Sequence, residues 1–217
     1  SGAFWDLRKS TSLELARALS HFAKYGLPDD ANDGIAFAEW FLETLIADDD
    51  DGDLQNGTPH DLEIAEAFER HQIGPGLFMK SQFRHLPVED TDETLHRYTV
   101  QFVLKSIGLA GAGVKDVHVL YSVNGEKKQH RVDAGPAGNG ELAAMIPAQP
   151  RGTLVSYEIV ATESLTGNTV HFLLNEIAQQ PYQFLVGFKE FFVDPFEEDL
   201  GWTVGSGEDN ASRGVWE

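Results

Sequence analysis

The sequence predicts a multidomain α + β chain: a small all-helical segment, then a β-sandwich, then the start of an incomplete β module. Three observations carry this. Apolar residues recur at helical spacing up to about residue 76. From about residue 97 the pattern becomes short alternating runs separated by Gly- and Pro-rich turns. From residue 188, "FKEFFVDPFEEDLGWTVGSGEDNASRGVWE" is aromatic, acidic and glycine-rich, a third texture whose aromatics need a partner surface that so short a stretch cannot supply. The expected boundaries are 1–80 for the helical segment, 81–96 for a linker, 97–187 for the sandwich and 188–217 for the unfinished module.

In the first segment, "WDLRK" starts an amphipathic helix with Phe4, Trp5 and Leu7 expected inside. "TSLELARALSHFAKYG" has Thr11 followed three residues later by Glu14, a capping-box pattern that satisfies orphan backbone donors. Leu15, Ala18, Leu19 and Phe22 then mark its apolar face, and Gly26 suits the left-handed residue after its end. A second helix is expected over 34–47, with Ile35, Ala38, Phe41, Leu42 and Leu45 on one face. The next begins at "TPHD": Thr58 can cap, Pro59 fits the first position, and Asp61 suits the positive end of the helix dipole. Ile64, Ala67, Phe68 and His71 mark its inner face until "GPG" stops it.

In the second segment, "RYTVQFVL" and "VHVLYSV" alternate, and Asn124–Gly125 is a strong hairpin signal ahead of a returning strand in "KKQHRVDA". "GELAAMIPAQPRGTLVSYEIVATESLTGNTVHFLL" adds a strand, a turn, a strand rich in Val, Tyr and Ile, another turn and a final strand. Short strands at this spacing suit a sandwich of the immunoglobulin or fibronectin type III kind, with Tyr121 and Tyr157 in its core.

Composition narrows the function classes. The 217 residues carry 35 acids against 16 Lys and Arg, a formal charge of -19 that repels nucleic acid and anionic membrane surfaces alike. No apolar run is long enough to span a bilayer, so membrane insertion is not expected. Absence of cysteine excludes disulfides, thiolate metal sites and cysteine catalysis. None of the eight histidines forms H-E-x-x-H, and G-x-S-x-G, P-loop and dinucleotide fingerprints are absent. "GLAGAG" at Gly108–Gly113 lies between strands and reads as a loop. No catalytic or cofactor-binding residue is assigned.

One constellation remains, "DDDDGDLQNG" from Asp48 to Gly57. Placed as an EF-hand with Gly52 at the sixth position, it puts Ala47 first and Thr58 twelfth, where oxygen ligands are required, so it is not an EF-hand. A looser calcium site would use Asp49, Asp51 and Asp53 with Asn56 and backbone carbonyls. The leading reading is a solvated acidic loop, although no Lys or Arg between Lys24 and Arg70 offsets its charge.

"SGAFWDLRK", followed by a helical stretch and "LIADDDDGDLQNGTPHDLEIAEAFERHQIG", resembles the C-terminal end of the catalytic domain in large secreted bacterial zinc metallopeptidases related to thermolysin and fungalysin. In such enzymes zinc is held by an H-E-x-x-H helix and a downstream Glu, none of which falls in this chain. The resemblance therefore implies a non-catalytic C-terminal fragment. Zn²⁺ would lie only in an upstream catalytic half of the same polypeptide, the parent would act on protein or peptide, and its location would be secreted or cell surface. The sandwich and the unfinished "DPFEEDLGWTVGSGEDNASRGVWE" resemble accessory β-domains, the latter a jelly-roll start. The alternative is a stand-alone extracellular protein- or glycan-binding module. If the helical segment belongs to a larger domain, Phe4, Trp5, Phe37 or Trp40 should be left exposed.

Overall fold

The structure, a computed structural model, describes residues 2–28, 35–105 and 113–188. The expected third module, apart from Phe188, and most of the "GLAGAG" loop lie outside the described residues. Five helices come first: α1 (Gly2–Ser10), α2 (Leu13–Gly26), α3 (Ala36–Asp48), α4 (Asp61–Glu69) and α5 (Pro75–Ser81). Nine strands follow: β1 (Arg84–His85), β2 (Tyr98–Val103), β3 (Val114–Val123), β4 (His130–Asp133), β5 (Gly135–Gly138), β6 (Glu141–Ile146), β7 (Leu154–Glu163), β8 (Thr169–Phe172) and β9 (Tyr182–Leu185). No helix among the described residues is long and apolar enough to cross a membrane.

The helices pack because each turns one stripe inward. Phe4 and Leu7, three apart on α1, meet Leu19 of α2, Phe41 and Leu45 of α3, and Ile64 and Phe68 of α4 in one core. The Phe68 ring lies 5.4 Å from Phe4, edge-on, and 5.5 Å from Phe41. Each such aromatic or aliphatic side chain adds about 1.5–3 kcal/mol by leaving water.

Several sequence expectations shift here. Trp5, expected inside, is 56% exposed, because Phe4 and Leu7 take the buried stripe and the intervening residue points away. Phe22 is likewise 58% exposed, and Ala16, Leu19 and Ala23 form the inner face of α2. The cap of α2 is Ser12, whose Oγ accepts from Leu15 N–H at 3.1 Å. Thr11 instead closes α1, its hydroxyl donating to the Leu7 carbonyl at 2.7 Å. Gly26 is the last residue of α2, lying against Glu43 of α3, not a left-handed residue beyond it. Thr58 does not cap α4 through its side chain; its hydroxyl is turned to Asp48. His71 lies beyond α4 and bonds Asp6 at 3.0 Å. "GPG" starts a helix and does not end one: α4 already stops at Glu69, Gly74 precedes α5, Pro75 takes its first position, and Gly76 N–H donates to Glu69 Oε2 at 3.1 Å.

The strands make two antiparallel sheets, ordered β1-β2-β6-β5 and β4-β3-β7-β8, with β9 also on β7. β8 pairs with Ile159–Thr162 of β7 and β9 with its Leu154–Tyr157, so the two share one edge end to end. Alternation sets the inward faces: Tyr98, Val100 and Phe102 from β2 meet Val155, Tyr157 and Ile159 from β7 and Phe184 from β9. Asn124 and Gly125 form the expected hairpin turn, both at positive φ (51° and 73°), with Glu126 N–H bonded to the Val123 carbonyl.

The stretch expected as a linker is part of the sandwich. Arg84 and His85 pair with Val103 and Phe102, and Thr91 bridges Val186. Two residues ahead of Leu86-Pro87 are too few to show alternation. The helical and β units also exchange core residues: Met79 of α5 belongs to the sandwich core, and Leu165 packs on the helical core. Lys80 Nζ reaches Glu176 at 2.6 Å across the same junction.

Candidate functional site

The acidic run divides into one buried and several exposed carboxylates. Asp48, at the end of α3, has a side chain only 2% exposed. It accepts from the Thr58 hydroxyl at 2.8 Å and from His60 N–H at 2.7 Å, and its other oxygen lies 2.8 Å from His60 Nδ1. It therefore ties the start of the loop to the entry of α4.

Beyond it the loop caps itself. Asp49 accepts from Asp51 N–H at 3.3 Å, Asp51 from Asp53 N–H at 2.9 Å, and Asp53 from Gln55 N–H at 3.0 Å, a run of side-chain turns. The Asn56 amide donates to the second Asp51 oxygen at 2.7 Å. This amide, with the Asp53 N–H, holds the Asp51 carboxyl below the usual carboxylate range.

Of the expected ligands, Asp49 and Asp51 come together with Asp50, their oxygens within 4.8 Å of one another. Asp53 is engaged instead in capping the 3₁₀ turn Leu54–Asn56. An all-oxygen set suits calcium and not zinc. It is the single grouping of three or more candidate ligands among the described residues. The histidines do not converge. His60, His71, His96, His118, His130 and His171 each lie beside a carboxylate of their own, while His21 meets Tyr25 and His85 meets Tyr157. The residues described here thus do not fit a zinc centre.

A second feature was not anticipated from the sequence. Leu13, Arg17, His21 and Lys24 recur every three or four residues and so form one stripe along α2. This stripe faces Trp5 and Arg8 of α1 across a groove of about 330 Å³. Phe4 and Ala16 lie at its base, and no Asp or Glu among the described residues lines it. The Arg8 guanidinium sits 4.8 Å from the Trp5 ring centre and Lys9 Nζ 5.7 Å. At the far end the His21 ring contacts Phe22 and Tyr25 edge-on, each at 5.2 Å, and both of those side chains are exposed. The helical spacing of Arg17 and Lys24 on α2 was the available signal; that Arg8 of α1 joins them was not.

A third feature is a polar cleft of about 440 Å³ at the junction of the two units, between Glu69, Gln72 and Lys80 on one side and Thr169, His171 and Gln179 on the other. Gln72 and Gln179 both have positive φ, at 58° and 52°.

No family model and no curated protein matches the sequence. Among solved structures, the Br derivative of BhCBM56 aligns with 43% of this chain and 83% of its own, at 17% identity and a TM-score of 0.30. At that level the likeness assigns neither fold nor ligand.

Proposed function

We propose that this chain is the non-catalytic C-terminal part of a secreted zinc metallopeptidase. Its helices complete an upstream catalytic half, and its sandwich, of the immunoglobulin or fibronectin type III kind, serves as an accessory domain. The observation that carries the reading is the outward aromatic surface of the helical unit. Trp5 is 56%, Phe22 58%, Tyr25 74% and Phe37 52% exposed, whereas Phe4 is buried and Trp40 half-buried. Four large aromatics turned outward on three short helices fit a unit whose partner surface lies elsewhere in the polypeptide. Zinc belongs to that upstream half, since the donor set here does not suit it.

The acidic loop has a structural place in this reading. Asp49 and Asp51, with Asp50 beside them, are the residues that would hold a calcium ion, and Asp53, which caps the following turn, would not. A melt in calcium and in chelator tests it: at 100 times the dissociation constant the ion adds about 2.7 kcal/mol. An unchanged melting temperature assigns the loop to solvent.

The experiment for the whole reading compares two proteins: residues 1–217, and the same chain preceded by about 150 residues of upstream coding sequence, roughly one domain. Zinc-dependent casein hydrolysis by the longer protein alone is the expected result. Hydrolysis by 1–217 itself, or a longer protein that takes up no zinc, overturns it.

The polar junction cleft favours a second reading, a stand-alone extracellular protein- or glycan-binding module. Left-handed glutamines are costly for the backbone, and strained residues gather at binding sites. Retention of 1–217 on an immobilised glycan or protein, lost on Gln72→Gly and Gln179→Gly together, would favour this reading over the first.

A further inference from the structure

The groove between α1 and α2 carries the opposite charge to the rest of the molecule. Acids outnumber Lys and Arg by 35 to 16 over the chain, and what sets this groove apart is that three cations line one opening together. Arg8, Arg17 and Lys24, which line the groove, form no ion pair among the described residues. Three cations without an ion pair, around an opening that no described Asp or Glu lines, are complementary to an acidic occupant. Besides Ser20 and His21, the rest of the lining is apolar: Trp5 and Leu13 are exposed at its sides, with Phe4 and Ala16 beneath.

We infer that the α1–α2 groove docks an acidic segment of a partner protein, with carboxylates on Arg8, Arg17 and Lys24 and one apolar side chain seated against Trp5 and Leu13. The spacing adds specificity. Arg17 and Lys24 are seven residues apart, two turns of α2, or about 10 Å. A helical partner segment running beside α2 would therefore present Asp or Glu at positions i and i+7 on one face, with its apolar anchor between them. Nucleic acid is disfavoured, because the field of a chain at -19 repels a long polyanion while the groove offers only three cations. The inference rests on reading the helical faces as partner-covered, and it stands whether or not that partner is a peptidase.

The test uses the full 217-residue chain and fluorescence anisotropy with a labelled synthetic helix of about fourteen residues, roughly four turns. The probe carries Glu at two positions seven apart with Leu between, and its control has both Glu replaced by Gln. The acidic peptide should bind, and the Gln peptide should bind on the order of tenfold more weakly. Binding should fade near 1 M salt, where the screening length is about 3 Å. Arg17→Glu with Lys24→Glu should weaken binding at least about tenfold, given two exposed pairs lost and made repulsive. Trp5→Ala should weaken it by a similar factor at low and at intermediate salt, because the contact it removes is apolar. Lys127→Glu with Lys128→Glu makes the same change in net charge away from the groove and should have little effect.

No binding, equal binding of the Gln peptide, or equal loss in the Lys127/Lys128 variant overturns the inference. Self-association of the chain that Arg17→Glu abolishes would assign the groove to a second copy and overturn it too. Retained helical circular dichroism in the variants separates lost docking from lost folding. A longer chain that takes up no zinc would sink the peptidase reading without touching this one, and failed peptide binding would leave the zinc assay unaffected.

Discussion

Tyr157 shows how single residues in the sandwich are held by direction as well as distance. Val88 N–H donates to its phenolic oxygen at 3.0 Å, and that oxygen lies 2.9 Å from His85 Nε2. His85 Nδ1 is 2.8 Å from the Gln101 carbonyl, which can only accept, so Nδ1 carries the proton and Nε2 accepts from the phenol. The relay needs a neutral imidazole and a neutral phenol. Burial supplies both conditions, pushing the Tyr157 phenol up to about 12 and the His85 imidazole below its ordinary value.

The signs then follow from linkage. The unfolded phenol ionises near 10, so the contribution of Tyr157 is intact below that pH and lost as pH rises from about 10 to about 12. The contribution of His85 is intact above about 6.5 and lost as pH falls below it, toward the depressed folded value. Urea midpoints measured from pH 5 to 12 should fall at both ends. Tyr157→Phe should cost about 1–2 kcal/mol at neutral pH, because Val88 N–H loses its acceptor, and should flatten the alkaline fall. An alkaline limb identical in the variant would rule Tyr157 out as its source. Tyr157 was legible as a core residue from β-alternation; its partners were not, because His85 lies in a stretch with no periodicity to read.

Among the elements, helix faces were more legible than helix ends. Ala38, Phe41 and Leu45 of α3, and Ile64, Ala67 and Phe68 of α4, fall where helical spacing puts them. The caps moved because neighbouring hydroxyls are interchangeable as local signals: Thr11 is drawn back to Leu7 and leaves Ser12 to cap α2, while Thr58 is taken by Asp48 of α3, a partner only the fold supplies. Asp48 makes the point more sharply: in a run of four aspartates, nothing local marks one for burial. The structure chooses it because α3 and the entry to α4 meet there.

Asp48→Ala should therefore cost about 3 kcal/mol or more in urea unfolding, since it strands the Thr58 hydroxyl and the His60 N–H together. Asp50→Ala, on an exposed residue for which no hydrogen bond is found, should stay within about 0.5 kcal/mol. Equal costs would mean that the loop is stabilised as a charge cluster and not through one buried acceptor. At the hairpin, Gly125→Ala meets nothing within 4 Å but must hold a φ of 73°, so its cost should be only about 1 kcal/mol and purely local.

For the molecule as a whole, the change of texture located the helical and sandwich units but gave no sign of how they are joined. Met79 lies in a helical segment by sequence and in the sandwich core by structure, and Leu165 does the reverse. A reciprocal exchange of this kind makes each core depend on the other. The charge reversal of the α1–α2 groove escaped the sequence reading for a related reason: Arg8, Arg17 and Lys24 become a group only when two helices meet. The wild-type chain should therefore unfold in one transition, with helical circular dichroism and tyrosine near-ultraviolet signals coincident. Met79 is 2% exposed, so Met79→Ala removes a buried side chain and should cost about 2–5 kcal/mol. Because that loss falls at the junction, it should also split the two signals. The helical signal should go first, since the helical core is the smaller and carries the exposed aromatic faces. A Met79→Ala protein that is destabilised yet still unfolds with coincident signals would show that cooperativity runs through other contacts, such as Leu165 or the Lys80–Glu176 pair.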